Sequence, residues 1–343
     1  MRAFYLKRVL EVVTPFLVYG LLVPIDTSLA QSRIKLGLPI DCVIGKDCWL
    51  VNLVDLDSSA SVKDYKCQAE SYNGHKGTDI SIRDLKAMQI GVAVLAAASG
   101  VVHNIRDGMT DHGGADAKPE PLNGRECGNG VVIKHAGGWQ TQYCHLSKDS
   151  IIVKSGQRVK KGQKLGLVGY SGQTEFPHVH MSTRFKGKTV DPFIGLSPYL
   201  PCSFGNFSLW DDDLILALTQ PLLNIFNAGF SSVVPTKEAV LAGLHQEKVL
   251  PRQAQKLIVW AHTYQVRKDD RVHIQITGPN GSIISSHHDV IKKNNARMLF
   301  YSGKKRKKLH WPKGIYKGNI SITRSNKGDT DYIVMVEKKI LIR

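Results

Sequence analysis

The sequence lacks the short motifs by which several common enzyme classes are recognised. It has no H-E-x-x-H, no G-x-S-x-G and no G-x-x-x-x-G-K-[ST]. A thermolysin-like peptidase, a serine hydrolase with a nucleophile elbow and a phosphate-binding loop therefore find no support. C-x-x-C is missing as well, which argues against zinc ribbons and thioredoxin-type redox chemistry. Internal repeats and low-complexity tracts are also lacking.

Long hydrophobic runs are lacking beyond the N-terminus. There, the basic stretch MRAFYLKR precedes an apolar run, and Ser28, Leu29 and Ala30 form a small-x-small cleavage pattern. This order predicts a secretory signal peptide over residues 1–30, with the mature chain starting near Gln31. The alternative is an uncleaved anchor, but the uncharged stretch Val12–Ile25 has only 14 residues where a spanning helix needs roughly 20. We expect an exported protein, periplasmic or extracellular, with no stable membrane span after signal removal.

The six cysteines are an even number, and in an exported chain they favour disulfides over thiol chemistry. Cys42 and Cys48 close a short loop, and Cys127 and Cys144 flank a hairpin-like segment. These pairings would leave Cys67 to reach Cys202. Six cysteines allow 15 connectivities, and the sequence does not choose among them.

Positive charge is unevenly distributed along the chain, whose net charge is +17. Residues 205–343 hold 22 Lys/Arg against 11 Asp/Glu, and their densest basic run is GKKRKK at 303–308. A basic segment suggests an anionic partner, which for an exported chain is an envelope polymer with carboxylates or phosphates rather than nucleic acid. The other interpretation of GKKRKK is a solvated hairpin tip.

Short Val-, Ile- and Thr-rich runs separated by glycines predict a mainly β protein, and 343 residues suffice for about two domains. We expect a β-barrel or sandwich over residues 70–204 and a β-sandwich similar in outline to immunoglobulin or fibronectin folds over 205–343. Residues 31–69 are predicted to be an irregular lead-in that carries disulfides. The polar insertion at 106–126 is predicted to be a surface loop.

Four histidines and one aspartate carry the candidate chemistry. They are His75, Asp79, His145, His178 and His180. Residues i and i+2 of a strand point to the same face, so His178 and His180 should project side by side. A lone histidine is more often solvated or packed than a ligand, but catalytic zinc uses three nitrogen or oxygen ligands and leaves a position for water. Two further histidines remain for proton transfer and oxyanion stabilisation.

Four motifs occur in an order that resembles the lysostaphin-type, LytM-like zinc metallopeptidases, a family of cell-wall endopeptidases. They are GHKGTDI, QYCHLS, VKSGQRVKKGQKLGLVGYSGQT and FPHVHMS, closed by VDPF at 190–193. The resemblance covers roughly residues 70–200 and implies a glycine-rich, duplicated-hybrid-motif-like β fold. It further implies that His75, Asp79 and His180 bind Zn²⁺, and that His145 and His178 are the catalytic groups.

The function implied by the resemblance is zinc-dependent cleavage of peptide bonds in peptidoglycan stems or cross-bridges. Met181 and Ser182 depart from the family's usual Phe and Glu, and we expect this to alter the shape of the substrate subsites rather than metal binding. One alternative is a non-catalytic peptidoglycan-binding or amidase-activating module. Another is a zinc peptidase that acts on exported proteins or glycine-rich peptides. A carrier-domain interpretation of VKKGQKLGLVGYSG is set aside, because carriers need a modifiable turn lysine in a cytosolic protein.

Overall fold

Strands far outnumber helices in the described chain, which confirms the predicted mainly β fold class. The structure is a computed structural model and describes residues 34–112, 122–197, 202, 207–326 and 330–343. The predicted signal peptide at 1–30 lies outside the described residues, as does the middle of the predicted loop at 106–126. Residues Ile34–Arg343 form one compact unit. The predicted boundary between two domains near residue 204 stays a prediction.

Ten strands and one α-helix lie between Cys48 and Thr189 among the described residues, and we call this stretch the first part of the unit. The strands are β1 (Cys48–Asn52), β2 (Thr78–Ile82), β3 (Ala93–Leu95), β4 (Gly100–Arg106), β5 (Asn129–Lys134), β6 (Trp139–Leu146), β7 (Arg158–Val159), β8 (Lys164–Leu167), β9 (His178–Phe185) and β10 (Lys188–Thr189). Helix α1 (Leu85–Ile90) starts at Asp84, whose side chain accepts a hydrogen bond from the Ala87 amide and so caps the helix.

One large sheet carries the candidate site. Its strand order is β1-β2-β9-β6-β5-β4-β7, with β10 paired to β9, while β3 and β8 form a separate two-stranded sheet. Strands β2 and β9 are antiparallel, and their register sets Asp79 opposite His180 and Ser81 opposite His178. Residues far apart in the sequence therefore meet on neighbouring strands of the sheet.

The lead-in is not irregular throughout, and on this point the sequence prediction is wrong. Residues Cys48–Asn52 (CWLVN) form strand β1, which pairs with β2 and is buried at every position. A strand buried on both faces shows no alternation of polar and apolar residues, so the pattern that reveals half-buried strands is lost here.

The second part of the unit contains two further sheets. Its strands are β11 (Asn224–Ser231), β12 (Val249–Leu250), β13 (Lys256–Val266), β14 (Arg271–Thr277), β15 (Ile283–Val290), β16 (Asn295–Lys305), β17 (Gly314–Arg324) and β18 (Tyr332–Ile342). They form the sheets β11-β13-β16 and β12-β18-β17-β14-β15. One hydrophobic core contains side chains from both sheets, so they form a β-sandwich. Two short helices, α2 (Asp212–Leu218) and α3 (Lys237–Leu241), were not predicted.

Local sequence signals in this part are confirmed. GPNG at 278–281 connects β14 to β15, and Gly281 has a φ of 81°, which a glycine adopts without steric cost. Trp260, Trp311 and Tyr316 were predicted to be core residues and are buried.

A third hydrophobic cluster joins the sandwich to the large sheet. Its buried members are Trp49, Val51, Phe176, Phe226 and Tyr264. The Phe226 and Tyr264 rings stack with centroids 3.9 Å apart, and the Tyr264 hydroxyl lies 2.6 Å from the Ser81 hydroxyl on β2. The sandwich therefore packs directly against the strands that carry the candidate site.

The three disulfides of the structure are Cys42–Cys48, Cys67–Cys202 and Cys127–Cys144, one of the 15 connectivities that the sequence left open. The second of these closes a loop of 135 residues, between the lead-in and the end of the first part.

Within the part of the chain that the structure describes, no helix has the length and apolar character needed to cross a membrane.

Candidate active site

Three side chains converge on one point between β2 and β9. His180 Nδ1 lies 2.8 Å from Asp79 Oδ1, and His75 Nε2 lies 3.1 Å from both of these atoms. His75 and Asp79 are buried, and His180 is half-buried. The structure thus brings together the three residues that the sequence proposed as metal ligands.

His145 and His178, the two proposed catalytic residues, lie beside this cluster. The His178 Nε2 is 3.6 Å from Asp79 Oδ1. The His145 ring centroid is 4.7 Å from that of His178 and 6.0 Å from that of His180. All five candidate side chains therefore line one site.

His145 reaches the site from a strained backbone conformation. Its φ is 64°, in the left-handed region that non-glycine residues seldom adopt, and its amide donates to the Cys127 carbonyl at 2.8 Å. Such conformations cost free energy and persist where the surrounding structure enforces them, often at functional sites. The sequence motif YCHL gives no sign of this geometry.

Backbone carbonyls fix the tautomers of three histidines, because a carbonyl oxygen can only accept. His75 Nδ1 donates to the Leu53 carbonyl at 2.6 Å, and His145 Nδ1 donates to that of Ser171 at 2.8 Å. His178 Nδ1 donates to the Phe176 carbonyl at 2.9 Å. Each ring in its neutral form then has a lone pair on Nε2, available to a metal ion or a proton.

Two residues outside the proposed ligand and catalytic set contact the proposed ligands. The Asn52 Nδ2 donates to Asp79 Oδ2 at 2.9 Å, and the Ser182 hydroxyl lies 3.0 Å from His180 Nε2. Ser182 was expected to alter the shape of the substrate subsites rather than metal binding, and that expectation stays a prediction; its hydroxyl contacts the ring of a proposed ligand. Partners of this kind orient ligands and tune metal affinity.

Gly77 allows the His180 ring to come close to the backbone. A Cβ atom at this position would lie 2.5 Å from His180 Nε2 and Cε1 and 2.9 Å from the Met181 carbonyl oxygen. The glycine of the GHKGTD motif is thus explained by a close approach between chain and ring, not by an unusual φ angle.

Burial and the concentration of charge shift the pKa values of the site. Burial alone would raise the pKa of the Asp79 carboxyl, but His75, His178 and His180 outweigh it and hold that pKa well below its usual range. Burial lowers the pKa of His180, partly against the effect of Asp79. Burial, with the charges of His178 and His180, lowers the pKa of His145 well below its usual value. Asp79 is therefore an anion and His145 a neutral ring at neutral pH.

The donor set fits a tetrahedral divalent ion. Two imidazole nitrogens and one carboxylate oxygen are the ligands typical of catalytic zinc, and ligands at its usual bond lengths lie about 3.3 Å from one another. The observed separations are 2.8–3.1 Å. The nitrogen of each ligand ring that faces away from the cluster has its own partner, as metal-bound histidines usually do. A second cluster, Cys42, Asp47 and Cys48, has both cysteines in a disulfide and offers no thiolate.

The site opens into a groove of about 1070 Å³ with walls from both parts of the unit. The large sheet contributes Asp79, His145, His178, His180 and Arg184, and the sandwich contributes Lys237, Glu238, His262 and Arg297. No residue of the sandwich was predicted from the sequence to lie at the site. The run at 303–308 lies at the opposite end of β16 from Arg297, and its predicted binding to an anionic polymer stays a prediction.

Comparison with known proteins agrees with this geometry. Residues 73–192 match the model of Peptidase family M23, which confirms the resemblance to lysostaphin-type peptidases for this part of the chain. The match leaves the lead-in and the sandwich outside.

Two curated relatives represent two activities. The peptidoglycan DD-endopeptidase ShyA of Vibrio cholerae is 37% identical over 117 residues, 34% of this chain and 22% of that protein. The murein hydrolase activator NlpD of Escherichia coli is 32% identical over 131 residues, 38% of this chain and 27% of that protein. The match thus spans about a quarter of the length of these relatives. A zinc-containing peptidase from Vibrio cholerae, compared as a solved structure, has a TM-score of 0.28 at 25% identity, covering 46% of this chain and 38% of that one.

Proposed function

We propose that this protein is an exported, zinc-dependent endopeptidase that hydrolyses peptide bonds in peptidoglycan stems or cross-bridges. The observation that carries the proposal is the convergence of His75, Asp79 and His180 within 3.1 Å of one another, with two further histidines beside them. Three ligands and two titratable rings are the minimal set for metal-assisted hydrolysis.

In this proposal His75 Nε2, His180 Nδ1 and Asp79 Oδ1 hold the zinc ion. Bound zinc would lower the pKa of water to about 7 and polarise the scissile carbonyl. The negative charge of Asp79 offsets part of the charge of the dication, and its depressed pKa keeps it ionised over the working range of pH. Asn52 occupies the other carboxylate oxygen and so keeps Oδ1 directed at the two histidines.

His178 takes the proton of the attacking water at Nε2 in the proposed mechanism. Its Nδ1–H is tied to the Phe176 carbonyl, so the ring orientation and tautomer are set before substrate arrives. His145 stabilises the oxyanion by donating from Nε2, which requires a second proton on a ring whose pKa burial holds low. Negative charge on the substrate favours that protonated form, so the hydrogen bond strengthens as the oxyanion develops.

A peptidoglycan peptide as substrate is supported by the similarity of residues 73–192 to peptidase family M23 and to a DD-endopeptidase. A groove with two unlike walls suits an extended peptide, and it gives the chain room on both sides of the scissile bond.

The rival function is activation of another murein hydrolase, because a relative of similar identity is named an activator. The presence of all five expected side chains in one site favours catalysis over this alternative. A zinc peptidase for exported proteins would use the same site, so only the substrate distinguishes it.

Purified sacculi and a glycine-rich protein, each incubated with the zinc-loaded protein, separate these functions. Release of muropeptides that stops with a chelator and returns with added zinc is the expected result. Chelator-sensitive cleavage of the glycine-rich protein alone would favour the exported-protein substrate. No chelator-sensitive cleavage of either substrate would refute the enzyme proposal.

A further inference from the structure

Arg297 brings a cation from the sandwich to the wall of the active-site groove. It lies near the start of β16, and it lines the same groove as His178 and His180. Its guanidinium carbon is 4.4 Å from the centroid of the Phe176 ring, and that ring is 4.7 Å from the ring of His178. One aromatic ring thus separates this cation from the proposed general base.

The position of the Arg297 guanidinium is set by aromatic packing. Besides Phe176, the rings of Phe226 and Tyr264 lie 5.8 Å from the guanidinium carbon. These three rings belong to the cluster that joins the sandwich to the large sheet. A guanidinium held on aromatic faces keeps its edge, where the N–H groups project, available to a planar anion.

No carboxylate of the described residues neutralises the charge of Arg297. Among the described residues no carboxylate oxygen lies within 4.0 Å of its guanidinium nitrogens, although Glu175 is close by in the groove wall. The guanidinium makes one hydrogen bond to the described chain, from Nη1 to the Glu175 carbonyl at 3.4 Å. Its Nε is buried and has no acceptor among the described residues. Desolvated N–H groups without acceptors cost free energy, and a bound carboxylate would supply the missing acceptors.

A second cation lies in this wall, beside the acidic Glu238. Lys237 at the start of α3 is exposed, lines the groove and makes no ion pair within the described residues. His262 lines the same groove and is buried, and its pKa is lowered to about 3 by burial and by the charges of Arg297 and Lys237. His262 is thus neutral, and it adds no charge of its own.

We infer that Arg297 is a specificity-determining residue that binds a free carboxylate of the substrate near the scissile bond, on the Phe176 side of the groove. This inference rests on the proposed function and deepens it, because it defines the substrate as a peptide with an unamidated carboxyl group. The geometry that carries it is a guanidinium packed on the Phe176 ring, next to the proposed base His178, with N–H groups that have no anionic partner among the described residues. It also gives the sandwich a role in substrate choice.

The test uses pairs of muropeptides that differ only in one group, a free carboxylate or the primary carboxamide. One pair carries the change at an internal residue of the stem, and the other carries it at the C-terminus of the stem. For the zinc-loaded wild type, kcat/KM should fall about 10- to 100-fold from carboxylate to carboxamide in one of the pairs, which identifies the source of the carboxylate.

Arg297→Gln should lose a similar factor on the carboxylate substrate and almost nothing on the carboxamide. Most of the loss should appear in KM, because the ion pair forms in the ground state as well as in the transition state. Arg297→Lys should keep part of the preference, since lysine retains the charge but not the two-pronged geometry. Lys292→Gln, an exposed residue just before β16, is the matched control and should behave as wild type.

Melting temperature and zinc content separate recognition from folding. Equal losses by Arg297→Gln on both members of each pair, or losses that follow a lower melting temperature, would show that Arg297 only packs against the aromatic cluster and would overturn the inference. A wild type that cleaves carboxylate and carboxamide equally well would also overturn it, while leaving the proposed peptidase intact. A wild type that cleaves none of the muropeptides would refute the proposed function itself.

Discussion

Asn52 donates a hydrogen bond from Nδ2 to Asp79 Oδ2 at 2.9 Å, and both side chains are buried. Asn52 ends strand β1, which the sequence did not reveal, and Asp79 lies opposite it on β2. Gln265 of the sandwich supports the same strand, because its Nε2 donates to the Val51 carbonyl at 2.6 Å. The Asp79 carboxylate is thus held by strand β1, and the sandwich supports β1 through Gln265.

Asn52→Ala tests this support. Removing the amide frees Asp79 Oδ2 and lets the carboxylate rotate, so we expect zinc affinity to fall about 10- to 100-fold. Competition with a chromophoric chelator measures the change. Asn319→Ala, at an exposed position on β17, is the control and should bind zinc as wild type does. Unchanged affinity in Asn52→Ala would show that Asp79 is positioned without it.

Gly77→Ala tests the close approach between the chain and the His180 ring. The added methyl group would lie 2.5 Å from the ring, so His180 or the segment before β2 must move. Because the proposed ligands must remain together, we expect zinc affinity and peptidase activity to fall by at least tenfold, with most of the folding stability retained. Gly74→Ala, where a Cβ atom meets nothing within 4 Å but φ is 77°, separates backbone strain from contact with the ring. Zinc binding by Gly77→Ala equal to wild type would contradict the explanation of this glycine.

Asp191 gives the protein a pH-dependent stability remote from the histidines. Burial, with the charge of Asp64, raises the pKa of its carboxyl to about 7, against a hydrogen bond from the Phe193 amide. Between pH 3.8 and about 7 the folded state therefore holds a proton that the unfolded chain releases. The free energy of unfolding should fall as pH rises through this window, by about 1.4 kcal/mol per pH unit from this group.

Asp191→Asn removes this titration and keeps the shape of the side chain. Its stability relative to wild type should therefore increase by roughly 4 kcal/mol between pH 4 and pH 8. Urea unfolding at the two pH values measures the difference, and histidine titrations cancel because both proteins share them. Asp213→Asn, an exposed residue, is the control. A constant difference between Asp191→Asn and wild type would show that Asp191 is ionised in the folded protein throughout.

The convergence of the five candidate side chains was more predictable than the residues that support them. Alternation in HVHMSTRF gave both β9 and the common face of His178 and His180, because the period of a strand is a local property. The resemblance supplied the roles of His75, Asp79 and His145. The roles of Asn52 and Arg297 depend on which strands become neighbours, and no periodicity in the sequence encodes a hydrogen bond or a cation–π contact between distant segments.

Strand β13 shows why the packing of the two parts against each other could not be predicted from the sequence. The sequence predicted this strand. Its burial at nearly every position is what an ordinary core strand also shows. One face of β13 packs in the sandwich core through residues such as Val259, while Tyr264 lies in the cluster with Trp49 and Phe176. A strand buried on both faces indicates a neighbour on each side but does not identify it.

Zinc content and muropeptide release, measured on the same preparations, show whether one metal ion and one base act together at the five side chains. Wild type should bind about one zinc per chain and release muropeptides from sacculi. His75→Ala should lose both zinc and activity, whereas His178→Ala should keep the zinc and lose at least 100-fold in activity. A His178→Ala protein without zinc, or a His75→Ala protein that still cleaves, would contradict the account.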